Sequence, residues 1–195
     1  MIKPAETARE RILTAANKLF YAEGIRAVSL DTIAEKAGIT KKTVYYHFKS
    51  KDDLIEAYLA SRDQPNLNQF RKWFGEAEGD LSDKVEAIFR QIALSARHPK
   101  WKGCGFLRTA AELANMPGHP AMKVGAGHKK KFEAWMAEEF EAAGVSGAPH
   151  LARHIVLLLD GAFSTILVHR DPAYAEAAGE AARALVASAV LNQAG

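Results

Sequence analysis

Along almost the whole chain apolar residues recur every three to four positions, and no stretch sustains the alternation of period two that a strand requires. A chain patterned this way buries its apolar stripes by packing helices on helices. The first run sets Ile12, Leu13, Ala16, Leu19 and Phe20 on one face and stops at Gly24, as a left-handed helix cap would. Ser29 is a good N-cap for a second helix with Leu30, Ile33, Ala34 and Ala37 inside and Asp31 at its positive end. Gly38-Ile39-Thr40 then breaks the pattern and leaves room for only a short third helix, Lys41 to Tyr46. Ser50 and Asp53 fit a capping box opening a fourth helix that carries Leu54, Ile55, Tyr58 and Leu59.

The pattern loosens around Gln64-Pro65 and from Gly75 to Gly79. Beyond it, Val85, Ile88, Phe89 and Ile92 mark a fifth helix, and Phe106 to Ala114 a shorter sixth. A turn-rich stretch, Asn115 to Pro120, leads into a long helix with Val124, Phe132, Trp135, Met136 and Phe140. Pro149 can start the next, and Asp171-Pro172 the last. The reading is an all-α chain of about nine helices, without internal repeats.

Composition narrows the class. The single cysteine, Cys104, cannot close an intramolecular disulfide, which fits a reducing compartment. Met1-Ile2-Lys3-Pro4 turns polar at once, and Ile155 to Leu159, the most apolar segment, is far shorter than the ~20 residues of a membrane span. A cytoplasmic protein with no membrane partner is expected. Residues 1–50 hold nine Lys/Arg against five Asp/Glu, whereas the rest is close to balanced. A basic end on a near-neutral body fits a module that binds a polyanion.

Two short helices joined by Gly38-Ile39-Thr40 make a helix-turn-helix, the arrangement that sets its second helix in the DNA major groove. Ala34 is small enough for close crossing, and Ile39 and Val44 can point inward. That leaves Lys41, Lys42, Thr43, Tyr45, Tyr46 and His47 outward, as cations and hydroxyls for phosphates and as rings for sugars or thymine methyls. Adjacent tyrosines on a short exposed helix argue for binding rather than a plain solvated surface.

The segment from about Thr7 to Leu59 resembles the DNA-binding domain of the TetR family of bacterial transcriptional regulators. The resemblance lies in the amphipathic Ile12 to Gly24 run, in Ile33-Ala34-Glu35-Lys36-Ala37-Gly38-Ile39, and in Thr43-Val44-Tyr45-Tyr46-His47-Phe48-Lys49-Ser50-Lys51-Asp52-Asp53-Leu54. It implies that Thr40, Lys42, Thr43, Tyr45, Tyr46 and His47 touch bases or phosphates, that Lys51 contacts the DNA backbone, and that Ser29 lies near a phosphate. Lys41 and Lys42 fall where the family varies. The division it implies is a helix-turn-helix domain over 1–50 and a larger helical ligand-binding and dimerisation domain over 51–195.

The last two helices are the natural dimerisation elements. Ile155, Leu158, Leu159, Ala162, Phe163 and Ile166 form an apolar face, and Ala182, Leu185, Val186 and Ala189 supply small and branched residues for close contact. The resemblance implies a four-helix interface shared by two subunits, although a monomer core would use the same composition. For sensing, Phe89, Trp101, Phe106, Phe132, Trp135 and Phe163 can line a pocket or simply fill the core.

No nucleophile–base motif is present and no enzyme activity is expected. His150 and His154 have two-ligand spacing without an HExxH glutamate, Gly125-Ala126-Gly127 completes no phosphate loop, and neither a metal nor a cofactor is expected. The sequence therefore points to a homodimeric regulator, most simply a repressor. It would bind a palindromic double-stranded DNA operator and be released by a small-molecule effector. A regulator of the same fold that senses nothing is the alternative.

Overall fold

A computed structural model describes residues 6–191, so the polar start at Met1 to Pro4 lies outside the described residues. Among them the chain forms nine α-helices and no strand: α1 (Ala8–Glu23), α2 (Leu30–Ala37), α3 (Lys41–His47), α4 (Lys51–Glu76), α5 (Leu81–Ala96), α6 (Gly105–Glu112), α7 (Pro120–Ala142), α8 (Ala148–His169) and α9 (Ala173–Leu191). Packing divides it into two units, Met1–Asp63 with Gly105–Ala126, and Gln64–Cys104 with Gly127–Gly195. A segment that chain order assigns to the larger domain, α6 and the start of α7, thus packs with the helix-turn-helix.

In the first unit α1, α2 and α3 pack together around Ile12, Phe20, Ile33, Val44 and Phe48, all buried. Thr7 and Glu10 close a capping box at the start of α1. At the start of α4, Ser50 Oγ accepts the Asp53 N–H (3.0 Å), while the Asp53 carboxylate reaches past Ser50 to the Lys49 N–H (2.9 Å).

The looser pattern at Gln64-Pro65 does not break the helix, because α4 runs through Pro65 for 26 residues. Proline removes one backbone bond, the one to the Ser61 carbonyl. Leu67, Phe70 and Phe74, buried beyond it, reward continuation of the helix.

In the second unit Asp80 caps α5. Its carboxylate accepts the Ser82 hydroxyl (2.6 Å) and the Ser82 and Asp83 N–H groups. The Ser82 hydroxyl first, then the Asp83 amide, hold this carboxyl below its ordinary range. A folded-state value lowered in this way contributes stability above the unfolded value of ~3.9, and that stability is lost as pH falls through the folded value. Asp80→Ala should therefore lower Tm at neutral pH, with the gap to the parent closing in acid. A gap that persists unchanged in acid would mean that the carboxylate charge is not what stabilises the cap.

α9 packs on α5 and on α8. α8, 22 residues with a mean hydropathy of 1.6 in its most apolar window, is long and apolar enough by length and composition to cross a membrane. The short Ile155 to Leu159 run understated it. The helix has two apolar sides. Ile155, Leu159, Ala162, Phe163 and Ile166 are buried within the chain's own core, as are Ala182 and Val186 of α9. On the other side Leu157 and Val168 are 65% and 74% exposed. Periodicity identifies apolar faces without saying which of them the chain itself covers, so most of the residues expected at a subunit interface are interior residues of a single subunit. Leu158 and Ala189 are half-buried and Leu185 is exposed.

Candidate nucleic-acid interface

The turn between α2 and α3 is built from local signals. Gly38 takes the left-handed conformation (φ 64°, ψ 41°), its N–H donates to the Glu35 carbonyl and that of Ile39 to the Ala34 carbonyl. This pair of bonds is a Schellman cap, which a residue with a Cβ would strain. Arg11 of α1 donates to the carbonyls of Ala37 and Gly38, placing a cation at the negative end of α2. Thr40 then caps α3, accepting the Thr43 N–H through its hydroxyl (3.2 Å), and Ser29 caps α2 through the Thr32 N–H (3.1 Å).

Val44 is the inward anchor of α3 and is fully buried. Its neighbours face out: Tyr45 is 50% exposed and Tyr46 85%. The two rings lie side by side on one short helix, an exposed apolar patch available for contact. Tyr46 packs edge-on against His47, with ring centroids 5.1 Å apart. Lys41 and Lys42 are both exposed. Lys41 Nζ lies 2.8 Å from Asp31 Oδ2, and this hydrogen bond and charge raise the lysine's pKa. Lys42 has no such acidic partner on α2.

Ser29, Lys41, Tyr45 and Lys51 come together around one notch, whose wall also includes Arg26 and Asp31. Lys51 Nζ sits 3.4 Å from the Arg26 carbonyl oxygen. Partial burial pulls its pKa down, and the negative charges of Glu112 and Asp52 oppose that pull. Thr40, Lys42, Thr43, Tyr46 and His47 are carried by α3 and its cap rather than by this notch. Sequence reasoning missed Arg26 and Asp31 on the notch wall. Arg26 left one signal, a cation in the turn preceding α2.

The six aromatics proposed for a sensing pocket do not form one group. Phe132 and Trp135 stack edge-on (5.6 Å) with Phe70 and Phe74 as neighbours. Trp101 lies parallel to Phe163 (6.3 Å), and the Lys129 ammonium stands 5.8 Å over the Phe163 ring while paired with Asp160. Phe89 packs under Gly179, and Phe106 belongs to the unit that contains the helix-turn-helix. His150 and His154 meet edge-on at 4.4 Å, and no group of three or more metal-ligating side chains occurs among the described residues.

Residues 12–58 match the family of bacterial regulatory proteins called tetR. The chain is 48% identical over 61 residues to the transcriptional regulator SrpR of Pseudomonas putida, covering 31% of this chain and 29% of that protein. It is 32% identical over 97 residues to the regulator TtgR of the same species, covering 48% and 46%. The matches thus span less than half the length of these curated relatives. Along nearly the whole chain it is similar to SCO4454, a TetR-family transcriptional regulator from Streptomyces coelicolor, with 34% identity, a TM-score of 0.77 and 95% of both chains covered.

Proposed function

Because this chain belongs to the TetR family of DNA-binding transcriptional regulators, we propose that it is a homodimeric repressor that leaves its operator when a small molecule binds the helical body. The observation that carries this reading is α3, with Tyr45 and Tyr46 outward, beside the notch that gathers Ser29, Lys41 and Lys51. In this reading α3 enters the major groove and Lys42, Thr43, Tyr45, Tyr46 and His47 meet bases or phosphates. Thr40, Ser29, Lys41 and Lys51 fix the register on the backbone. Lys41 must exchange Asp31 for a phosphate to take part.

Two subunits would meet through the uncovered stripe of α8, Leu157, Gly161, Ser164 and Val168, together with Leu158 and with Leu185 and Ala189 of α9. A Cβ at Gly161 would meet nothing within the subunit, so that position leaves room for a crossing helix. Two-fold symmetry then requires a palindromic operator with half-site centres ~34–36 Å apart or a multiple of this. In the second unit Trp101 and Phe163, with Lys129 and Asp160 beside them, offer apolar faces and one charged pair for an effector. Operator and effector would weaken each other's binding by the same factor. No enzymatic step is proposed, and the protein would act in the cytoplasm, where its DNA is.

Selection from random double-stranded DNA, read by sequencing, tests this reading. A palindromic motif is expected, and Tyr45→Ala should bind it roughly 5–150-fold more weakly, corresponding to ~1–3 kcal/mol, with the dimer intact. Undiminished binding by Tyr45→Ala would remove α3 from the recognition role.

A further inference from the structure

Glu112, the last residue of α6, has a use that its charge pattern does not advertise. Its carboxylate accepts the N–H groups of Ile25 (3.2 Å) and Arg26 (3.0 Å), in the turn between α1 and α2. Gly24 makes this approach possible: its φ is +91°, and a Cβ there would lie 2.9 Å from Glu112 Oε1. Side chains from the same stretch reinforce the grip. Arg108 Nη1 donates to the Tyr21 carbonyl (2.7 Å), and Asn115 Oδ1 accepts from Arg26 Nη2 (2.9 Å). His119, buried, accepts the Ala121 N–H at Nδ1 (3.1 Å), so in the neutral ring the proton is on Nε2, which lies 3.4 Å from Asp52 Oδ1.

Two of these contacts hold Arg26, which lines the notch together with Lys51. Arg26 is held by Glu112 at its amide and by Asn115 at its guanidinium, and its carbonyl in turn accepts from Lys51. Asp52, next to Lys51, faces His119. Backbone amides that bind a carboxylate form charge-assisted hydrogen bonds, stronger than neutral ones. The turn is therefore set by a residue far from the helix-turn-helix in sequence.

We infer that Glu112 is a positioning residue for DNA binding: by fixing the Ile25–Arg26 backbone it sets the carbonyl that holds the Lys51 ammonium at the notch. The inference rests on the reading of Lys51 as a contact to the DNA backbone. Were Glu112 merely structural, its loss would lower stability without acting through Lys51.

Fluorescence anisotropy of the full chain with a labelled random-sequence duplex, across a range of salt concentrations, separates these cases. Lys51→Ala removes one phosphate contact per subunit and should reduce the slope of log affinity against log salt by about 0.9 for each, about 1.8 for the dimer. Glu112→Ala, and the isosteric Glu112→Gln, should each remove a measurable part of that slope with the circular dichroism spectrum and dimer unchanged. Combining Glu112→Gln with Lys51→Ala should weaken binding no further than Lys51→Ala alone. Parental slopes in both Glu112 variants, or losses that add to that of Lys51→Ala, would overturn the inference. A parental slope for Lys51→Ala itself would overturn the Lys51 reading, and the inference with it. Glu112→Gln keeps the test open if Glu112→Ala fails to fold.

Discussion

Leu157→Glu is expected to give a folded monomer that has lost its operator. Leu157 is 65% exposed on α8 and shares a stripe with Gly161, Ser164 and Val168, so the substitution disturbs nothing inside the subunit. At a two-fold interface each change occurs twice. Two carboxylates would then be desolvated in an apolar contact, which association cannot tolerate without partners for them. A dimer engages both half-sites at once, and specific affinities of ~10⁻⁸–10⁻¹¹ M rest on that. A monomer should fall back towards non-specific binding, ~10⁻⁴–10⁻⁶ M, a loss of 100-fold or more. Sedimentation velocity and operator titration check both halves, with parental circular dichroism as the control. A dimer that survives Leu157→Glu would move the interface off this stripe.

The second large effect is expected at Gly179. There α9 crosses α5 so closely that an added Cβ would lie 2.9 Å from Phe89 Cβ and 3.4 Å from Glu86 Cγ. Phe89 is fully buried, and its Cβ is fixed to the α5 backbone, so the neighbour can yield only by moving a helix. Gly179→Val adds three carbons at this crossing and should destabilise by about 1–3 kcal/mol or more. In a chain of this size that lowers Tm by roughly 2–4 °C per kcal/mol. Gly179→Ala is the graded control, since a gain in helix propensity of up to ~1 kcal/mol offsets part of its clash. A Gly179→Val protein with parental Tm would show that α5 and α9 can separate at no cost.

How much of this was readable follows the range of each interaction. The helix-turn-helix is written in neighbours: Gly38 for a left-handed cap, Thr40 and Ser29 as hydroxyl caps, Val44 inward with Tyr45 and Tyr46 outward. Each acts within one helical turn, so spacing alone conveys it. The pattern loosens at Pro65, yet α4 continues through it, because the local penalty is outweighed by apolar residues buried beyond it. Which apolar face of α8 lies inside the subunit was not readable because the helix is apolar on two sides, and only packing distinguishes the side turned to α9 from the side left bare. Pocket and core stayed open for the aromatics because composition has no coordinates; folding distributes them among separate contacts.

The amino-acid sequence by itself determined an all-helical chain, a DNA-binding end with its turn, caps and outward residues, and a body of apolar helices. Each of these follows from side-chain period and cap chemistry over a few residues. The tertiary structure alone decided that α6 joins the DNA-binding unit, that Glu112 holds the Ile25–Arg26 amides, and that Gly179 lets α9 lie against α5. Those contacts join residues more than eighty positions apart. Their geometry depends on how the helices between them pack, information that no local pattern contains.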